Sequence, residues 1–234
     1  MHLLYIRIFL LMHMSPTPEE LLEEARRLHQ SADYKKGLKT AEKALKRFQK
    51  QMRLDRAIEA LRVMGDCAIN AHDLKKAAKL YESLMDEGVK ISNLWYQSAA
   101  HWGLGQVLLR TLQYEPAANH FMAGLDIARK ISDKWYTAWN AFGLANALRG
   151  MGRLEDARSL LQEALESFRA QNQNTFADWV EKALADIGAD VPSPGELRVW
   201  LCPLCGSKFT ADQVTSSSPE RLQHASTVAR RPAR

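Results

Sequence analysis

The chain repeats itself every 40 residues from about Pro18 to Asn172, in four copies whose register does not slip. Small residues recur at Gly37, Ala77, Ala117 and Ala157, with Tyr34, Leu74, Tyr114 and Leu154 three places before them. Large apolar residues recur at Leu45, Met85, Leu125 and Leu165, and small ones again at Ala25, Gly65, Gly105 and Ala145. The stretches ISNLWY from Ile91 and ISDKWY from Ile131 are near copies one period apart. A period of this length marks a stacked array of supersecondary units, each unable to bury its apolar face alone.

Each unit reads as helix, short turn, helix. In the fourth, Ala138, Ala141, Leu144, Ala145 and Leu148 fall at three- and four-residue steps and predict one apolar helix face between Lys134 and Arg149. Gly150-Met151-Gly152-Arg153 is expected to break it, and Leu154 to Ala170 forms the second helix with Ala157, Leu160, Leu161, Ala164, Leu165 and Phe168 on its apolar face. Asn93 and Asp133 are placed to cap the helices that follow them. Thr17-Pro18-Glu19-Glu20 has the form of a capping box with proline at the first helical position. Asn174 to Ile187 predicts a ninth helix that caps the stack through Phe176, Trp179, Val180, Ala183, Leu184 and Ile187.

The residues Leu104, Gly105, Leu108, Tyr114, Ala117, Phe121 and Leu125, and then Leu144, Ala145, Leu148, Gly152, Leu154, Ala157, Ala164 and Leu165, resemble the tetratricopeptide repeat pattern. The first unit departs from it, with Glu24, Ala25, Gly37 and Ala41 at the motif positions. The family's common repeat is about 34 residues. At 40 residues and without the turn proline, this chain is similar to the longer-helix subgroup of adaptors of the LGN and kinesin light chain kind. The resemblance implies an all-α, right-handed superhelix of four helix pairs plus a capping helix, spanning 15–190, that acts as a non-catalytic scaffold for a protein or peptide.

In that family the first helix of each pair lines the groove. Carried over by register, one groove row is Arg26, Asp66, Gln106 and Asn146, and a second is Leu22, Arg62, Trp102 and Phe142. A third is His29, Ile69, Leu109 and Arg149, with Asn70, Arg110 and Trp139 beside it. Amide and charged side chains can bond an extended peptide, and aromatics anchor it; the alternative for any single polar residue is a solvated helix face. The family's carboxylate clamp is not reproduced, since only Asn146 fits it.

The chain is 46% hydrophobic and 25% charged, with a formal charge of +5. From Met14 to Asp190 there are 25 basic and 24 acidic residues, so the excess lies outside the repeats, chiefly at Arg221, Arg230, Arg231 and Arg234. Lys35, Lys39, Lys43, Lys46 and Lys50 share one helix face, without the interleaved aromatics that base stacking requires. Nucleic acid is therefore not the expected partner.

Residues 191–196 read as a linker, 197–210 as a CxxC knuckle similar to half a zinc ribbon, and 211–234 as a disordered basic tail. Cys202 and Cys205 supply two thiolates of the four ligands a structural zinc site takes, and His224 is the one downstream candidate. Zinc completed by a second chain, a partner or a missing segment, an unmetallated remnant and a redox pair all fit the pair. With zinc, the knuckle and tail make a nucleic-acid-associated regulator the alternative function, and a homodimer is among the assemblies allowed.

Residues 1–14 read as a disordered leader, or as an anchor for a membrane or partner. The apolar run is interrupted by Arg7 and is shorter than the roughly 20 residues a spanning helix needs. Three cysteines without an even framework point to a reducing, cytoplasmic setting. No phosphate loop, H-E-x-x-H or nucleophile elbow is present, and His72, His101, His120 and Cys67 read as turn, surface or packing residues.

Overall fold

The structure, a computed structural model, describes residues 16–190, 200–201 and 208–209. The leader 1–14, the linker 191–196, Cys202, Cys205, His224 and the tail 211–234 lie outside the described residues.

Nine α-helices stand among the described residues: α1 Pro18–Gln30, α2 Tyr34–Lys50, α3 Leu54–Asn70, α4 Leu74–Lys90, α5 Leu94–Arg110, α6 Tyr114–Lys130, α7 Lys134–Gly150, α8 Leu154–Ala170 and α9 Asn174–Asp190. Two short strands, β1 Trp200–Leu201 and β2 Lys208–Phe209, pair antiparallel with Trp200 opposite Phe209. None of the described helices is long and apolar enough to cross a membrane. The chain divides into two compact units, Met1–Leu184 and Ala185–Arg234.

The 40-residue period turns out to be two half-periods of 20. Every helix from α2 to α9 has 17 residues and follows a three-residue turn whose middle residue is left-handed: Ala32, Met52, His72, Ser92, Leu112, Ser132, Gly152 and Asn172. In each turn the middle N–H donates to the carbonyl three residues back and the next N–H to the carbonyl five back, as Leu112 does to Leu109 and Gln113 to Leu108. These bonds satisfy the last carbonyls of each helix. Seven of the eight middle residues are not glycine, and each accepts a strain of about 1 kcal/mol that the paired bonds offset.

Helix starts follow the expected caps. Glu20 N–H donates to Thr17 Oγ1 at 3.2 Å and Thr17 N–H to Glu20 Oε2 at 2.7 Å, completing the capping box. Asn93 accepts from Trp95 and Tyr96, and Asp133 from Tyr136.

Small residues set the closeness of the stack. The buried Tyr81 ring on α4 lies against Gly65 of α3 and Gly103 of α5, and Phe121 on α6 lies against Gly105 of α5 and Gly143 of α7. A Cβ at Gly103 or Gly143 would fall within the facing ring. One large side chain from each of α4 and α6 thus wedges between two successive first helices. Helix α7 runs one residue past the expected Arg149, ending at the register position where Asn70 and Arg110 end α3 and α5, and the Tyr114 ring lies where a side chain at Gly150 would collide.

Consecutive helices from α1 to α8 pack along the chain, and α1, α3, α5 and α7 also touch in succession, whereas among the described residues no comparable contact joins α2, α4, α6 and α8. The first helices of the pairs therefore make one continuous wall, and the second helices splay apart outside it.

Candidate functional site

The wall has two chemically different halves. In the first two units its centre is Arg62 on α3, whose Nε and Nη2 donate to Glu59 at 3.0 and 2.7 Å and whose Nη1 donates to Asp66 Oδ2 at 2.6 Å. Arg26 on α1 reaches the same Glu59 Oε1 at 2.7 Å. The Tyr81 hydroxyl donates to Asp66 Oδ1 at 2.5 Å. Side-chain exposures of 19% for Arg62, 12% for Glu59 and 17% for Asp66 make this a network mostly withdrawn from water.

Burial pushes the Glu59 carboxyl up, but hydrogen bonds and charge from Arg62 and Arg26 overcome it and hold the group below the usual range. Burial, reinforced by Asp66, pushes the Tyr81 phenol far up. Two arginines and two carboxylates thus neutralise one another and tie α1, α3 and α4 together. At the wall's edge Arg110 donates to Ile69 O at 2.6 Å and to Asn70 Oδ1 at 3.4 Å, while Asn70 Nδ2 meets His29 Nε2 at 2.9 Å. Arg110 thereby sits where the carbonyl end of α3 attracts a cation.

In the third and fourth units the same register positions carry rings. Trp102 stands 6.0 Å from Trp139, which stands 6.3 Å from Phe142, 5.1 Å from Phe168 and 4.8 Å from Phe176 of α9. Trp135 joins through Trp139 at 5.8 Å and Phe176 at 5.7 Å. All are edge-to-face contacts of the favourable kind. Trp102, Trp139 and Phe142 are half-buried in this stack rather than standing free, and the Trp102 Nε1 is buried without a hydrogen-bond partner among the described residues.

Between the edge and the rings, Gln106 is half-buried with no hydrogen bond among the described residues, and Asn146 accepts one from Arg149 at 3.3 Å. The Asn146 amide N–H groups and the whole Gln106 amide are thus left to bond something else.

Several contributors were not read from the sequence. Glu59 and Tyr81 complete the charged half, and Trp135 joins the ring stack together with Phe168 and Phe176, which the sequence marked only as packing residues. Ser98 and Asn140, both fully buried, form a polar link in which Ser98 Oγ donates to Gly124 O at 2.8 Å and Asn140 Nδ2 to Tyr136 O at 2.9 Å. The spacing of Glu59 three residues before Arg62 was a legible signal; the links across helices were not.

On the outer side, an open groove of about 440 Å³ lies over α7 between α6 and α8, with Met122, Leu144, Leu148 and Leu160 along it. The five lysines of the α2 face are all exposed, and Lys46 pairs with Glu42 at 2.8 Å. Cys67 is buried and burial pushes its thiol up to about 12, so it carries no thiolate at neutral pH. No group of three or more metal-ligating side chains exists among the described residues.

The tetratricopeptide repeat family profile matches residues 96–170, covering nearly all of the third and fourth units. No curated protein sequence matches the chain. Among solved structures it is similar to the apo form of RapI, with a TM-score of 0.63 and 12% identity over 75% of this chain and 65% of RapI. The chain thus spans less than two thirds of RapI's length. It is similar to a putative kinesin light chain of Podosopora anserina with nearly identical TPR-like repeats (TM-score 0.53, 16% identity, 75% of this chain, 98% of that one). BtubC (BKLC) from P. vanneervenii gives 0.55 and 14% over 79% of this chain and 86% of that one. At these identities the likeness is one of fold: an all-helical, tetratricopeptide-like stack of helix pairs.

Proposed function

We propose that the chain is a non-catalytic scaffold that holds a peptide or helix of another protein along the wall formed by α1, α3, α5 and α7. The observation that carries this reading is the pair of amides at Gln106 and Asn146, one period apart, with bonding capacity unspent beside the half-buried rings of Trp102, Trp139 and Phe142. Such amides bond the backbone of an extended segment, and the rings accept its apolar side chains. Because Arg26, Glu59, Arg62 and Asp66 already neutralise one another, the partner is expected to cross that half with polar, uncharged groups and to place its apolar residues over the third and fourth units.

A reducing compartment suits the buried thiol of Cys67. Zinc at Cys202 and Cys205 remains a separate proposal, decided by elemental analysis of the reduced, intact protein. No feature of the described residues adds to the nucleic-acid alternative.

The test is recovery of a partner from native lysate with Gln106→Ala/Asn146→Ala, which alters amides outside the ring stack. Loss of two neutral hydrogen-bonding sites is expected to weaken binding about 10- to 30-fold with the melting temperature unchanged. Undiminished binding would remove the groove assignment.

A further inference from the structure

The scaffold reading makes no use of the facing imidazoles of His101 on α5 and His120 on α6. Their Nδ1 atoms are 3.2 Å apart, with ring centroids at 5.3 Å and planes inclined by 49°. Two unshared lone pairs at that distance repel, so either one ring donates an N–H to the other or a cation sits between them. Two nitrogens bound to one ion at about 2.0–2.1 Å with near-tetrahedral angles stand about 3.3 Å apart. The observed gap is close to that bite.

The backbone holds this separation. His101 and His120 lie well inside two 17-residue helices joined by the tight turn at residues 111–113, and α5 and α6 pack along their length. Metal ligation requires neutral imidazole. Burial, with His120 adding to it, brings His101 down to about 4, and burial also lowers His120, so both rings offer lone pairs at neutral pH. Both residues remain half-exposed, leaving a way in from solvent. No third histidine, cysteine or carboxylate joins them among the described residues, so water completes the coordination. Such a site selects ions that bind imidazole strongly, in the order copper above nickel, and rejects magnesium, which takes oxygen ligands.

We propose that His101 and His120 form a two-imidazole site for a divalent transition-metal ion, clamping the two helices of the third unit together. The full chain carrying Cys202→Ser and Cys205→Ser, so that the knuckle cannot answer, is titrated at pH 7.5 with Cu²⁺, Ni²⁺ and Mg²⁺. Thermal unfolding and, for Cu²⁺, electron paramagnetic resonance are the readouts. The expected result is a rise in melting temperature larger for Cu²⁺ than for Ni²⁺ and absent for Mg²⁺, with two nitrogens coupled to copper. His101→Asn and His120→Asn should each weaken binding by about tenfold or more. Because each variant is read as its shift on adding metal, a change in its metal-free stability does not obscure the result. No shift with either transition metal, or a shift that survives both substitutions, would overturn the proposal.

Discussion

The first two units and the last two place different chemistry at identical positions of one repeat. Glu59 and Arg62 of the second unit correspond in register to Trp139 and Phe142 of the fourth. The former pair spends its interactions within the wall, in a network of ion pairs that is at most 19% exposed for Glu59, Arg62 and Asp66. The latter spends them in an edge-to-face stack with Phe168 and Phe176. The repeat therefore fixes where side chains stand, while the residue at each position decides whether neighbouring units are tied by charge or by rings. A buried ion pair contributes little net stability but is costly to break, whereas ring burial is favourable outright.

The largest effect is expected in the ring half. Trp139→Ala removes contacts to five rings and should cost about 4 kcal/mol in urea unfolding; a loss under 1 kcal/mol would mean that the stack does not hold the units. In the charged half, Arg62→Met leaves Glu59 with Arg26 alone and Asp66 with the Tyr81 hydroxyl alone, and should cost about 3 kcal/mol. Arg62→Met combined with Glu59→Leu and Asp66→Leu should cost less than the single change, and an additive loss would contradict the network.

Acid weakens both halves but in different pH windows. His101 titrates near 4 when folded against 6.5 when unfolded, so its contribution is complete above pH 6.5 and lost as pH falls towards 4. Discounted for partial exposure, that loss is about 1 kcal/mol, and His101→Gln should flatten the slope in that window. Glu59 is held below its unfolded value of 4.5, so the charged half should weaken only as pH falls through and below that value. The smallest effect is a gain: Leu112→Gly, at a left-handed turn residue with φ of 60° and 69% exposure, should stabilise by about 0.5–1 kcal/mol.

The helices and their first turns were legible because apolar period, caps and small residues all point the same way, as at Thr17, Asn93 and Asp133. The half-period of 20 was not, because Ala32, Met52 and Leu112 adopt a conformation that their side chains disfavour and that only the paired turn bonds sustain. Gly150 was read as a breaker because a glycine's role in admitting the Tyr114 ring depends on a helix 36 residues away in sequence. That Arg26, Arg62, Asp66, Trp102 and Trp139 stand on the first helices of their pairs followed from register. Which of them face each other rather than an open groove did not, since Arg26 meets Glu59 and Trp139 meets Phe176 only after the helices stack.

The scaffold reading is tested most directly by photo-crosslinking from single p-benzoylphenylalanine residues placed at Gln106, at Asn146, at Met122 and at Lys43. The account predicts partner adducts from Gln106 and Asn146 on the wall and none from the outer Met122 and Lys43. Adducts confined to the outer positions would contradict it.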